Sequence, residues 1–203
     1  MKVGTCLNPL HTALAVYGCL LGYTSIAAEM GDADLKALVE HIAAESLPVV
    51  EDPGILSPRA FIDEVLHERF PNPAIPDTPQ RIAADTSQKL PVRYGGTLRR
   101  YARQSEQALA GLEFAPLVFA GWCRYLLGVD DRGNAMHLKG IEVGRPDSLA
   151  GQLRPILSNA ALFGVDLYAA GLGERTEEMF RDMLAGPGAV RATLHRNCAC
   201  KQP

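Results

Sequence analysis

The sequence predicts an all-α domain, and three observations carry that reading. Apolar residues recur at three- and four-residue spacing in nearly every segment, the period of an amphipathic helix. Asn8-Pro9, Ser57-Pro58 and Thr78-Pro79 each place a capping residue before a proline, the pattern that opens helices. Only one short stretch, 136–143, alternates enough to suggest a strand pair. The 203 residues suffice for one domain with a full core and are too few for two. No internal repeat or composition break divides them. Residues 1–194 are expected to form the domain and 195–203 a tail.

Taken in order, Asn8-Pro9 opens a long apolar helix over 8–23, with Asn8 as its cap. Leu35, Leu38, Val39 and Ile42 mark the next. Ser57-Pro58 starts one carrying Phe61, Ile62, Val65 and Leu66. The Pro-rich connector 71–76 cannot be helical and leads to Thr78-Pro79, which opens a helix through Arg81 and Lys89. A further helix covers 93–109. The next, 116–127, is apolar almost all round and belongs at the centre of the bundle. A turn at 130–134 follows. Leu149, Leu153, Ile156 and Leu157 mark a helix bent by Pro155, and Met179, Phe180, Met183 and Leu184 mark the last, ending before Gly186-Pro187-Gly188.

Composition excludes several classes. A net charge of -3 gives no electrostatic reason to expect nucleic acid, and Arg99, Arg100 and Arg103 read as a solvated helix face. The 5 cysteines are odd in number and contain no C-x-x-C, so no disulfide framework is expected. Cys6, Cys19 and Cys123 read as small core residues. His195, Cys198 and Cys200 make a weak metal signal, and no metal is expected. Residues 1–28 imitate a secretory signal, but Asn8-Pro9, His11, Gly18 and Gly22 interrupt it; the run is also too short to span a bilayer. Gly171-Leu172-Gly173-Glu174-Arg175-Thr176 resembles a dinucleotide loop, yet lacks the third glycine and a ribose-binding acid.

Two segments carry chemistry. In a continuous helix, Arg81, Asp85, Gln88 and Lys89 share one face. Two cations oriented by an acid and an amide suit a small oxygen-rich anion or a polyol. An ordinary solvated helix face has the same pattern. In the first helix, Asn8 and His11 lie within one turn of each other near the positive end of the dipole. That position favours a neutral imidazole able to bond a substrate oxygen. A plain capped helix with one half-buried histidine is the simpler alternative.

The segment Leu7-Asn8-Pro9-Leu10-His11-Thr12-Ala13-Leu14-Ala15, preceded by Lys2, resembles the long-chain mannitol dehydrogenase family. So does Pro71-Asn72-Pro73, followed by Ile75 and by Asp77-Thr78-Pro79-Gln80-Arg81-Ile82-Ala83 through Asp85-Thr86-Ser87-Gln88-Lys89-Leu90-Pro91 to Arg93. Trp122, Tyr125-Leu126 and the turn Gly128-Val129-Asp130-Asp131 before Gly133 add to it. The resemblance implies an all-α, 6-phosphogluconate dehydrogenase C-terminal-like fold with the N-terminal Rossmann half absent. It implies a polyol or hexuronate oxidoreductase of the mannitol dehydrogenase or fructuronate reductase type, cytoplasmic and metal-free. Lys2 would be the catalytic acid/base, Asn8 and His11 would orient the reacting oxygen, and Arg81 and Lys89 would bind substrate oxygens. Five residues separate Lys2 from Asn8, one more than in the family motif. NAD or NADP would be bound mainly by the Rossmann half, in cis or in trans. The alternative is a non-catalytic helical binding or dimerisation module.

Overall fold

Two buried helices cross at the centre of the domain, and a glycine sets how closely they approach. The computed structural model describes residues 6–50, 54, 57–136 and 146–199, the side chains of 146–151 apart. Helix α1 (Asn8–Leu21) is buried along nearly its whole length, and in α9 (Phe114–Tyr125) every residue is buried. A Cβ at Gly121 of α9 would lie 2.8 Å from the Tyr17 ring of α1. The missing side chain thus lets Tyr17 lie against the α9 backbone, where its hydroxyl donates to the Leu117 carbonyl at 2.8 Å.

The remaining helices surround this pair. They are α2 (Ile26–Glu29), α3 (Ala33–Ser46), α4 (Pro58–Glu64), α5 (Pro79–Ala83), α6 (Thr86–Arg93), α7 (Gly95–Gln104), α8 (Glu106–Ala110), α10 (Pro146–Leu157), α11 (Ala160–Phe163), α12 (Gly173–Asp182) and α13 (Ala189–Cys198). Among the described residues the only β feature is an isolated bridge between Val129 and Ala135. The all-α expectation holds. Helix α5 packs chiefly on α1, α12 chiefly on α9, and α3 touches both central helices. Leu35, Leu38, Val39 and Ile42 of α3 are buried as their spacing predicts. Asp32 caps that helix, accepting from the Asp34 and Leu35 amides.

Several boundaries differ from the sequence reading, each for a local reason. The chain enters α1 through a wide turn at Cys6 and Leu7, so Leu7 occupies the cap position and no side chain caps the helix. Asn8, expected as the cap, is the first helical residue. The expected helix over 93–109 is two, because Ser105 turns extended and its hydroxyl caps α8 by accepting from the Ala108 amide at 3.0 Å. Helix α13 was not expected. It follows Gly188, which adopts a left-handed φ of 83°, and its first amides are met by Asp131 from a distant turn. Helix α13 runs on through residues read as tail, and Cys198 is buried. The expected strand pair lies beyond Met136, almost wholly outside the described residues.

No helix among the described residues is long and apolar enough to cross a membrane. Nor do they hold a cluster of three metal-ligating side chains. His195 instead pairs through Nδ1 with Asp34 at 2.9 Å.

Candidate functional site

His11 projects from the first turn of α1 into a mostly closed setting, its side chain 12% exposed. Its ring packs against Phe70, with centroids 5.1 Å apart. Nε2 lies 3.3 Å from Asp77 Oδ2, yet it is not aligned for a hydrogen bond and stays unpartnered. Burial holds the imidazole well below its usual range, at about 4; Asp77 opposes this, and Arg93, Arg69 and Arg81 add to it. This setting favours the neutral imidazole. The cause is burial among cations.

Asn8 stands one turn before His11 on the same face and is half-buried. Its carbonyl accepts the Thr12 hydroxyl at 2.9 Å. Lys2 lies outside the described residues. Asp77, which faces His11, is fixed by its main chain: its carbonyl accepts from the Ile26 amide at 3.0 Å and its amide donates to Ile75 at 2.8 Å. Thr78 caps α5 as expected, accepting from the Arg81 amide.

Arg81 and Lys89 do not share one helix. The chain breaks at Ala84 and Asp85, and Asp85 has a φ of 59°, the only non-glycine residue in the left-handed region among those described. Such a conformation costs on the order of 1 kcal/mol or more, least for Asp and Asn. The predicted continuous stripe of Arg81, Asp85, Gln88 and Lys89 is thus replaced by two short helices joined at a sharp corner. Arg81 pairs with Asp77 one turn before it and is 64% exposed. Lys89 reaches back to the open end of α5, its ammonium donating to the carbonyls of Ile82, at 3.2 Å, and Ala84. Burial pulls the Lys89 pKa down, with Arg93 and Arg81 adding and Asp85 opposing.

The tertiary structure adds groups that the sequence reading did not single out. Asp77 joins His11 to Arg81, and Arg93 at the end of α6 acts on both His11 and Lys89. An Asp four residues before Arg81 was a legible signal for the first pair. Nothing in the sequence places Arg93 against α1. The result is an imidazole and two acids, Asp77 and Asp85, amid four cations, Arg69, Arg81, Lys89 and Arg93, an arrangement suited to oxygen-rich or anionic ligands.

The 171–176 loop opens α12, and a Cβ at Gly173 would lie 2.6 Å from the Tyr168 ring, so that glycine serves packing.

A family model, the mannitol dehydrogenase C-terminal domain, matches residues 1–184. A D-mannonate oxidoreductase of Thermotoga maritima is 53% identical over 207 residues, covering 96% of this chain and 38% of that protein. The D-mannonate oxidoreductase of Escherichia coli is 33% identical over 197 residues, covering 95% of this chain and 37% of its own length. The chain therefore spans less than two fifths of these relatives. The fold matches that of Pseudomonas fluorescens mannitol 2-dehydrogenase, solved with NAD and D-mannitol, with a TM-score of 0.78 at 24% identity over 100% of this chain and 40% of that one. A whole-length helical match, joined to the 184-residue family match that includes the Asn8–His11 and Arg81–Lys89 segments, leads to one conclusion: this chain belongs to the mannitol dehydrogenase C-terminal domain family.

Proposed function

We propose that this chain is the substrate-binding and catalytic part of an NAD(P)-dependent polyol or hexuronate oxidoreductase. The observation that carries the reading is His11: largely enclosed, its pKa held low, its Nε2 without a hydrogen bond, and set beside Asp77 among cations that suit an oxygen-rich substrate. In this reading Nε2–H and the Asn8 side chain donate to the reacting oxygen as negative charge develops on it. Lys2 exchanges the hydroxyl proton, with no metal in that role, a form of acid–base help typically worth about 100- to 10,000-fold in rate. Arg81 and Lys89 hold the remaining substrate oxygens. Both are engaged in the free protein, Arg81 with Asp77 and Lys89 with the α5 carbonyls, so substrate would have to share or displace those contacts. NAD or NADP would be held mainly by an N-terminal Rossmann half, in cis or in trans, and would supply the hydride chemistry.

The test joins the chain to a cofactor-binding half and compares variants. Arg81→Ala should lower kcat/KM by about ten- to a hundredfold, equivalent to ~1.5–3 kcal/mol of charge-assisted bonding, with cofactor affinity little changed. Lys2→Ala should remove most hydride transfer. Wild-type kinetics in both variants would return Arg81 to an ordinary solvated face and move the base away from Lys2; no hydride transfer in the joined protein would return the chain to a binding or dimerisation module.

A further inference from the structure

Arg93 differs from the other cations near His11 in what answers its charge. Arg81 pairs with Asp77, Lys89 donates to two main-chain carbonyls, and Arg69 is exposed to water. Arg93 is half-buried at the end of α6, and among the described residues no carboxylate pairs with it. Its Nη1 donates to Thr12 Oγ1 at 2.5 Å, and that hydroxyl donates on to the Asn8 carbonyl. One hydroxyl takes up a single donor of a guanidinium that carries five. A desolvated cation without a counter-ion is unfavourable, and an anion completes such a site.

Position sharpens the argument. Arg93 is anchored beside His11 through Thr12, the next residue of α1, and stands one helical turn beyond Lys89. Its planar fork matches a carboxylate with two parallel bonds, which a neutral hydroxyl cannot supply. We propose that Arg93 binds a substrate carboxylate and selects sugar acids over neutral polyols of the same carbon skeleton. This rests on the substrate position proposed above, against His11 and Arg81.

The experiment uses the 203-residue chain with labelled histidine and arginine. Side-chain NMR signals are followed as D-mannonate or D-mannitol is added, two probes that differ at one terminal carbon. Mannonate should shift the His11 ring and the Arg93 Nε signal together and bind about tenfold tighter than mannitol, the scale of one charge-assisted pair. Arg93→Gln should collapse that preference about tenfold. Raised salt should weaken mannonate binding to the wild-type chain selectively, a readout that does not depend on the variant folding. Equal affinity for the two probes, or an Arg93→Gln protein that weakens both alike, would reduce Arg93 to a tie between α6 and α1. The proposed function would survive that result. If neither probe moved His11, both readings would fall.

Discussion

Glu29 and Glu45 are the same residue type, each withdrawn from water, and the protein treats them in opposite ways. The Glu45 carboxylate on α3 accepts the amides of Glu113, Phe114 and Ala115, at 2.6, 2.9 and 3.0 Å, across the start of α9. Burial raises its pKa, and the three amides oppose the rise. Glu29 ends α2 against Gly18 of α1, fully buried, with neither oxygen hydrogen-bonded. Burial pushes it up to about 9, with Asp32 adding, so it is protonated at neutral pH. Glu45 is a cap supplied from another helix, serving orphan amides that no neighbour in sequence satisfies. Glu29 is a neutral filler accommodated by Gly18, where a Cβ would lie 2.1 Å from Oε1. Burial alone therefore does not define a carboxyl's role. The donors aimed at it do.

The largest effect should come from Glu45→Ala, which strands three amides at the head of the central helix. A loss of about 3 kcal/mol is expected from urea unfolding, combining a lost cap with unpaired donors. A loss under about 0.5 kcal/mol would erase the contrast between the two sites.

Glu29→Gln should act in the other direction, and its effect should depend on pH. The folded state keeps a proton that the unfolded state releases near pH 4.5, so stability is fully present below that pH and is lost as pH rises towards about 9. Glutamine removes that loss. The variant should be more stable than wild type by on the order of a few kcal/mol at pH 8, with the gap narrowing towards pH 5. Parallel stability curves for the two proteins would show that Glu29 is not held protonated.

Gly18→Ala should cost about 1–2 kcal/mol, the scale of overpacking, because the new methyl meets both the Glu29 carboxyl and Pro79. Combined with Glu29→Ala, the cost should fall well below the sum of the single changes. Simple additivity would mean that the two residues do not share one space.

Part of the candidate site was legible because its signals are local. Thr78-Pro79 announced the start of α5, and Asn8 and His11, three apart, had to share one face of α1. The corner at Asp85 was not legible, since Asp is compatible with a continuing helix and no glycine marks the left-handed turn. Arg93 was missed because its partner, Thr12, is supplied by a helix far away in sequence.

The sequence by itself determined the helical class, the buried character of α1 and α9, and most helix starts. Those depend on periodicity and on caps within a few residues of the element they serve. Only the tertiary structure decided that Glu45 caps α9, that Asp131 caps α13, and that Asp77 stands against His11. It also decided which carboxyls and cations are left without a partner. Such outcomes depend on distances between segments remote in the chain, and charge energies inside a protein are set by those distances and by the exclusion of water.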